Sequence, residues 1–144
     1  MIWNQLKEDE WRKAAPYVDT ALVPVLDIYG LGKEALPVYG RHVGRATEVL
    51  ERQLTGRVLC MPPLPFTVDD TAFSEHVALV RKRFNEAGFR FIFFVMDEAT
   101  VKATGQVDWG MLLQVSETPE SQDEAEEEIR QLCEQIVREW QKDV

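Results

Sequence analysis

Eight consecutive residues, Phe89-Arg90-Phe91-Ile92-Phe93-Phe94-Val95-Met96, contain a single polar side chain. Aromatic and β-branched residues favour the extended backbone. A half-exposed strand would alternate apolar and polar residues, and this run does not, so both of its faces must be covered. The arrangement that covers both faces of a strand most economically is a parallel sheet between two layers of helices.

The rest of the chain can be parsed on that basis. Val18–Val23 is a second apolar, β-branched run and reads as the first strand in chain order. Pro24 lacks a ladder donor, so the paired part is expected to end there or to bulge. Asp27–Leu36, with Gly30 and Gly32, reads as a loop. Pro37 then opens a helix to about Leu54, with Tyr39, Val43, Ala46, Leu50 and Leu54 at helical spacing and Gly56 as its stop. Arg57–Met61 is the next strand, ended by Pro62-Pro63-Leu64-Pro65. A helix at about Thr71–Ala87 follows, capped by Asp69 or Asp70, with Phe73, Val77, Val80 and Phe84 inward. The Phe89–Met96 strand is third, and a short link through Ala99–Ala103 leads to a fourth at Trp109–Val115.

The two ends of the chain are helical. Asn4–Ala15 forms a short polar helix stopped by Pro16. Thr118-Pro119 and the capping box Ser121-Gln122-Asp123-Glu124 both start a long terminal helix. Its stripe of Ala125, Ile129, Leu132, Cys133, Ile136, Val137 and Trp140 has to dock on something. The expected architecture is a single three-layer α/β/α domain spanning residues 1–144, with about four mostly parallel strands. Their order would be second-first-third-fourth, with a long acidic amphipathic helix at the end.

Charge narrows the partners. The 144 residues carry a net charge of −9, very unevenly. From Glu117 onward there are ten acidic and three basic residues, a net of −7; residues 1–116 hold fifteen and thirteen, a net of −2. Phosphate backbones need a basic face, so no nucleic-acid partner is expected. The longest apolar runs are too short to cross a bilayer, so no direct membrane insertion is expected. No secretory signal is visible. Cys60 and Cys133 sit in apolar patterns outside any CxxC, as in a reduced, cytoplasmic chain.

No motif of catalytic strength is present. With the order above, the chain reverses direction between the first and third strands, and a crevice opens past their carboxyl ends. Asp27, Tyr29, Gly30, Gly32 and Asp97 border it. Two carboxylates there could bind a cation or work as an acid–base pair, or each could simply start a turn or cap a helix. Gly30-Leu31-Gly32 fits neither dinucleotide nor phosphate-loop spacing. His42 and His76 stand alone on helices, outside any ligand spacing. Cys60, among Val58, Leu59 and Met61, reads as a core thiol. Arg81-Lys82-Arg83 reads as a solvated helix face. No cofactor, no metal and no catalytic residue is assigned.

Tyr17-Val18-Asp19-Thr20-Ala21-Leu22-Val23-Pro24, the helix exit Leu50-Glu51-Arg52-Gln53-Leu54-Thr55-Gly56-Arg57, the N-terminal tryptophan and the proline-ended second strand resemble the YpiF-like family of uncharacterised proteins from Bacillus-type bacteria. The acidic terminal helix is not part of that resemblance. Genes of the family tend to lie beside those of the menaquinol–cytochrome c reductase, which implies an accessory link to respiration. The expected function is non-catalytic, through contacts with a protein partner or as a homodimer. The alternative is a small enzyme or ligand-binding domain that uses the crevice.

Overall fold

The computed structural model describes residues 1–66, 72–105, 107–116 and 121–142, with residues 27–32, 35–39 and 66 described by their backbone. The chain runs α1 (Glu8–Ala14), a 3-10 turn (Ala15–Tyr17), β1 (Thr20–Asp27), α2 (Ile28–Gln53), β2 (Val58–Cys60) and β3 (Leu64–Phe66). It continues through α3 (Phe73–Glu86), β4 (Phe91–Asp97), α4 (Glu98–Ala103), β5 (Met111–Val115) and α5 (Gln122–Lys142).

The strands form a parallel sheet in the order β2-β1-β4-β5, and β3 pairs with the upper half of β1. This is the expected second-first-third-fourth order with one strand added. Parallel crossovers are right-handed almost without exception. Leaving β1 toward β2 and leaving β3 toward β4 are moves in opposite directions, so α2 and α3 must fall on opposite faces. They do. On one face Val43 and Leu50 of α2 and Leu132 and Ile136 of α5 cover Leu22, Phe93, Val95 and Leu113. On the other, Phe73 and Val77 of α3 cover Ala21, Val23, Ile92, Phe94 and Met96, with Trp109. All seven residues of β4 are buried, as a strand covered on both faces requires.

Three expectations need correction. The first strand does not end at Val23; Pro24 lies in mid-strand, opposite Val95. Its neighbour strand explains this. The Leu22 carbonyl accepts from Met61 N–H (2.8 Å) on the β2 side, and backbone groups alternate sides every residue. The amide position of Pro24 therefore faces that same side, where Met61–Pro63 interrupts the pairing between β2 and β3. The missing donor falls in the gap between the end of β2 at Cys60 and the start of β3 at Leu64. Secondly, Leu64-Pro65-Phe66 is a strand, not merely the end of a proline-rich loop. Pairing with Val25–Asp27 overrides its weak propensity.

Thirdly, Asp27–Leu36 is not a loop. Helix α2 begins at Ile28 and carries Gly30, Gly32 and Pro37 inside it. Pro37 removes one i→i−4 bond, but the remainder of this 26-residue helix continues through it. The proposed caps Asp69, Asp70 and Thr118-Pro119 lie outside the described residues. The Trp109–Val115 strand shortens to Met111–Val115, because Gly110 takes a φ of 76°. Arg81 is only half-exposed: its guanidinium donates to the Asp108 carbonyl (3.3 Å) and lies against Gly110.

The chain itself makes contacts to both sheet edges. Met1–Trp3 runs parallel beside β2, with Cys60 N–H donating to the Met1 carbonyl (2.8 Å) and Trp3 N–H to the Cys60 carbonyl (3.0 Å). The α-amino group of Met1 pairs with the buried Glu51. At β5, Gln135 of α5 donates to the Leu112 carbonyl (3.0 Å). Such contacts satisfy some of the backbone groups that an edge strand would otherwise leave unpaired.

Candidate functional site

The parallel register decides where the predicted crevice residues sit. Pro24 is opposite Val95, so continuing the ladder places Asp97 level with Leu26, one residue short of Asp27. Asp27 and Asp97 are thus the final residues of two adjacent strands. Each strand leads at once into a helix, α2 from Ile28 and α4 from Glu98. Tyr29, Gly30 and Gly32 belong to the first turns of α2 rather than to a loop. The side chains of Asp27 and Tyr29 are outside the described residues. Asp97 is buried, and its Oδ1 accepts from the Thr100 N–H (2.7 Å) as the cap of α4. Its carboxylate is engaged in holding the first turn of that helix.

A concavity of about 950 Å³ lies elsewhere, between α2 and α5 and beyond the end of β5. Its floor is apolar: Ala46 and Val49 from α2, and Ala125, Ile129 and Cys133 from α5. Its two rims differ in charge. Helix α2 supplies His42, Arg45 and Arg52, and α5 supplies Glu126 and Glu128. Arg130 also lines it, but its guanidinium is held by Glu127 and Glu134 on its own helix. Those contacts hold the Glu127 carboxyl below the usual carboxylate range, chiefly through the Arg130 hydrogen bond. Glu128 accepts from Ser116 N–H (3.0 Å), which fixes the groove end at β5. Among the described residues, Arg45 and Arg52 make no ion pair, and no ion pair joins α2 to α5 across the groove.

Helical periodicity builds this site. Residues 42, 45, 46, 49, 52 and 53 fall on one side of α2, and 122, 125, 126, 129, 130 and 133 on one side of α5. The fully buried residues of the docking contact are Val43, Leu50, Leu132 and Ile136; Ala46, Ile129 and Cys133 pack at the edge of the same core, and the remaining residues of these sides flank it. The thiols are unlike each other. Cys60 is buried, and burial pushes its thiol up to about 12. Cys133 is half-buried at the groove floor, and desolvation raises its pKa also. Neither thiol is activated, because activation requires the opposite shift. Among the described residues, no cluster of three His, Cys, Asp or Glu side chains could hold a metal.

A second polar cluster, at the opposite end of the sheet, was not foreseen. Asp19 takes a bidentate pair from Arg57 (2.8 and 3.0 Å). The Arg57 guanidinium stacks 4.1 Å from the ring centre of Trp140, and Trp140 Nε1 donates to Thr20 Oγ1 (2.9 Å). Thr20 Oγ1 donates in turn to Asp19 Oδ1 (3.0 Å). The last turns of α5 are thereby tied to the start of β1. Asp19 and Thr20 are two of the residues that carry the resemblance noted from sequence, and their chemistry here is structural.

Comparison with protein families matches residues 9–142 to the family described as "Protein of unknown function (DUF2487)". The chain belongs to that family. The DUF2487 match runs from α1 to the last turn of α5, so it includes the acidic terminal helix that the sequence resemblance had left out. No curated protein and no solved structure matches the chain. No helix of the described residues is long and apolar enough to cross a membrane.

Proposed function

We propose that this DUF2487 protein is a non-catalytic, cytoplasmic interaction protein whose contact surface is the groove between α2 and α5. The observation that carries this reading is the groove's construction: an apolar floor between rims of opposite charge that do not neutralise each other. Apolar centre and polar rim is the anatomy of a protein–protein interface. Opposite rims also give an incoming partner a single orientation. Trp3, 48% exposed, offers a further aromatic contact outside the groove. Kinship with the YpiF-like proteins of Bacillus-type bacteria would set this role beside the menaquinol–cytochrome c reductase, as an accessory to respiration.

The test compares what wild type and Arg45→Glu/Arg52→Glu recover from host extract. Both arginines are exposed, so the variant is expected to fold. Proteins recovered by wild type and lost by the variant support the groove. An identical recovery from both, or none from either together with a strictly monomeric chain, defeats the reading.

A second reading is supported by the adjacency of the β1 and β4 ends, each continued by a helix: a small-ligand site at that switch point, with Asp27 and Asp97 as polar contacts. Under it, Asp97→Asn keeps the cap and the fold while abolishing binding of a cationic or metal ligand. Unchanged thermal stability in the presence of magnesium, calcium and manganese salts counts against the metal version.

A further inference from the structure

The occupant of the groove can be argued from its own charges. Helix α2 presents Arg41, Arg45 and Arg52 on its exposed side, at spacings of four and seven that keep them on one stripe. None of the three has an ion-pair partner among the described residues. Helix α5 carries seven acidic residues and three basic ones between Gln122 and Lys142. Helix α2 as a whole is nearly balanced, with Glu34 and Glu48 also exposed, so what one molecule displays, side by side on a single face, is an arginine stripe on α2 and an anionic α5.

Both helices follow a strand of a parallel sheet and pack back across the same face, so they run in the same direction. That fixes what a second copy would meet. A twofold axis parallel to the helices lays α2 of each protomer over α5 of the other, in the same sense and at the same level. Arg45 and Arg52 then face the acidic helix of the partner, twice, and the two apolar floors close on each other. A twofold perpendicular to the helices would instead lay α2 on α2 and α5 on α5, like charge against like. Closed twofold pairs are the commonest homo-oligomers, and like-charge juxtaposition excludes the alternative.

We propose that the groove is filled by a second copy of this chain, in a dimer whose twofold axis runs parallel to α2 and α5. This rests on the reading of the groove as the contact surface and names its partner.

The test is sedimentation equilibrium of the full chain over the micromolar range, with circular dichroism to confirm each variant's fold. Wild type is expected to dimerise. The dimer should weaken at least about tenfold at about 1 M salt, where charges are screened within ~3 Å. Arg45→Glu/Arg52→Glu is expected to be monomeric, and so is Gln122→Lys/Glu126→Lys. An equimolar mixture of the two variants is expected to restore a dimer, since the glutamates introduced on one α2 then meet the lysines introduced on the partner's α5, while the unaltered arginines meet an unaltered acidic α5. If a reversal variant loses its fold, Arg45→Gln/Arg52→Gln replaces it, with weakening of about tenfold expected. Wild type that stays monomeric throughout, reversal variants that dimerise as wild type does, or a mixture that remains monomeric would each overturn the proposal. A monomeric wild type that still recovers another protein through Arg45 and Arg52 refutes the second copy alone. A monomer whose recoveries ignore those arginines refutes the groove as well.

Discussion

Replacing Trp140 by phenylalanine isolates the tie between α5 and the sheet. The substitution keeps a ring against the Arg57 guanidinium, which also lies over Phe91, but removes the Nε1–H that reaches Thr20 Oγ1. A net hydrogen bond is worth about 1 kcal/mol. Exchanging indole for phenyl under a guanidinium at 4.1 Å sacrifices part of a cation–π contact worth about 0.5–1 kcal/mol. The expected loss is about 1.5 kcal/mol, a fall in Tm of about 4–6 °C for a chain of this size. Trp140→Ala, which also empties half-buried ring volume, should cost about 3 kcal/mol. Urea unfolding followed by far-ultraviolet circular dichroism measures both. A double-mutant cycle with Thr20→Val should give a coupling of about 1 kcal/mol. If Trp140→Phe is neutral, or the cycle is additive, the tie contributes nothing and α5 is held by its apolar stripe and its contacts at β5.

Glycine offers a paired comparison. At Gly110 a Cβ would meet the Arg81 guanidinium at 2.6 Å and the φ is 76°, so Gly110→Ala should lose about 1–2 kcal/mol. Gly44 is helical with nothing within 4 Å of its Cβ position, and Gly44→Ala should gain about 0.5–1 kcal/mol. Denaturation midpoints of the two variants should move in opposite directions. Asp97→Ala should cost about 1 kcal/mol through loss of the α4 cap, and Asp97→Asn much less; equal losses would mean that the charge, not the cap, matters. The thiols give a pH test. Cys60 keeps its proton up to about 12 when folded, whereas its ordinary value is near 9. Its contribution is complete below pH 9 and is lost as pH rises from there toward 12. Cys60→Ala should flatten the alkaline fall in stability. In Ellman titration of native protein Cys133 should react first, and Cys60 only on unfolding.

The sheet was legible because its signals are physical necessities. An unbroken apolar run such as Phe91–Met96 can only be a strand buried on both faces, and crossover handedness then orders the neighbours. The terminal helix was legible for the same reason: Ser121 Oγ accepts from the Glu124 N–H (3.1 Å) as the capping box requires, and Leu132 and Ile136 lie on its apolar stripe. What failed were local rules overruled by tertiary context. Pro24 looked like a strand end because sequence does not show that its neighbour strand is broken at the same level. Gly30 and Gly32 looked like a loop and Pro37 like a helix start because their propensities are local, while the 26-residue α2 is not. Leu64–Phe66 is too short and too proline-rich to signal a strand without β1 beside it.

The neighbouring ends of β1 and β4 and the groove were legible to different degrees. Strand order alone brings Asp27 and Asp97 to adjacent strand ends, and the capping role weighed for Asp97 is the one it plays. The groove escaped notice because it joins helices some eighty residues apart, and only their shared face of the sheet makes neighbours of them. A signal was nonetheless present. Arg41, Arg45 and Arg52 form a stripe on α2 outside its core positions, and α5 concentrates the acid. His42, which stands alone in sequence, lies half-buried on the α2 side of that groove.

If the face made by α2 and α5 is where this protein is touched, its backbone amides must report it. Amide chemical shifts of the isotope-labelled chain, recorded at rising protein concentration, test it most directly. Concentration-dependent shifts are expected, confined to His42–Gln53 and Gln122–Cys133, reversed by salt and absent from Arg45→Glu/Arg52→Glu. Shifts that cluster instead at Trp3 and Tyr17, at the ends of β1 and β4, or nowhere would contradict it.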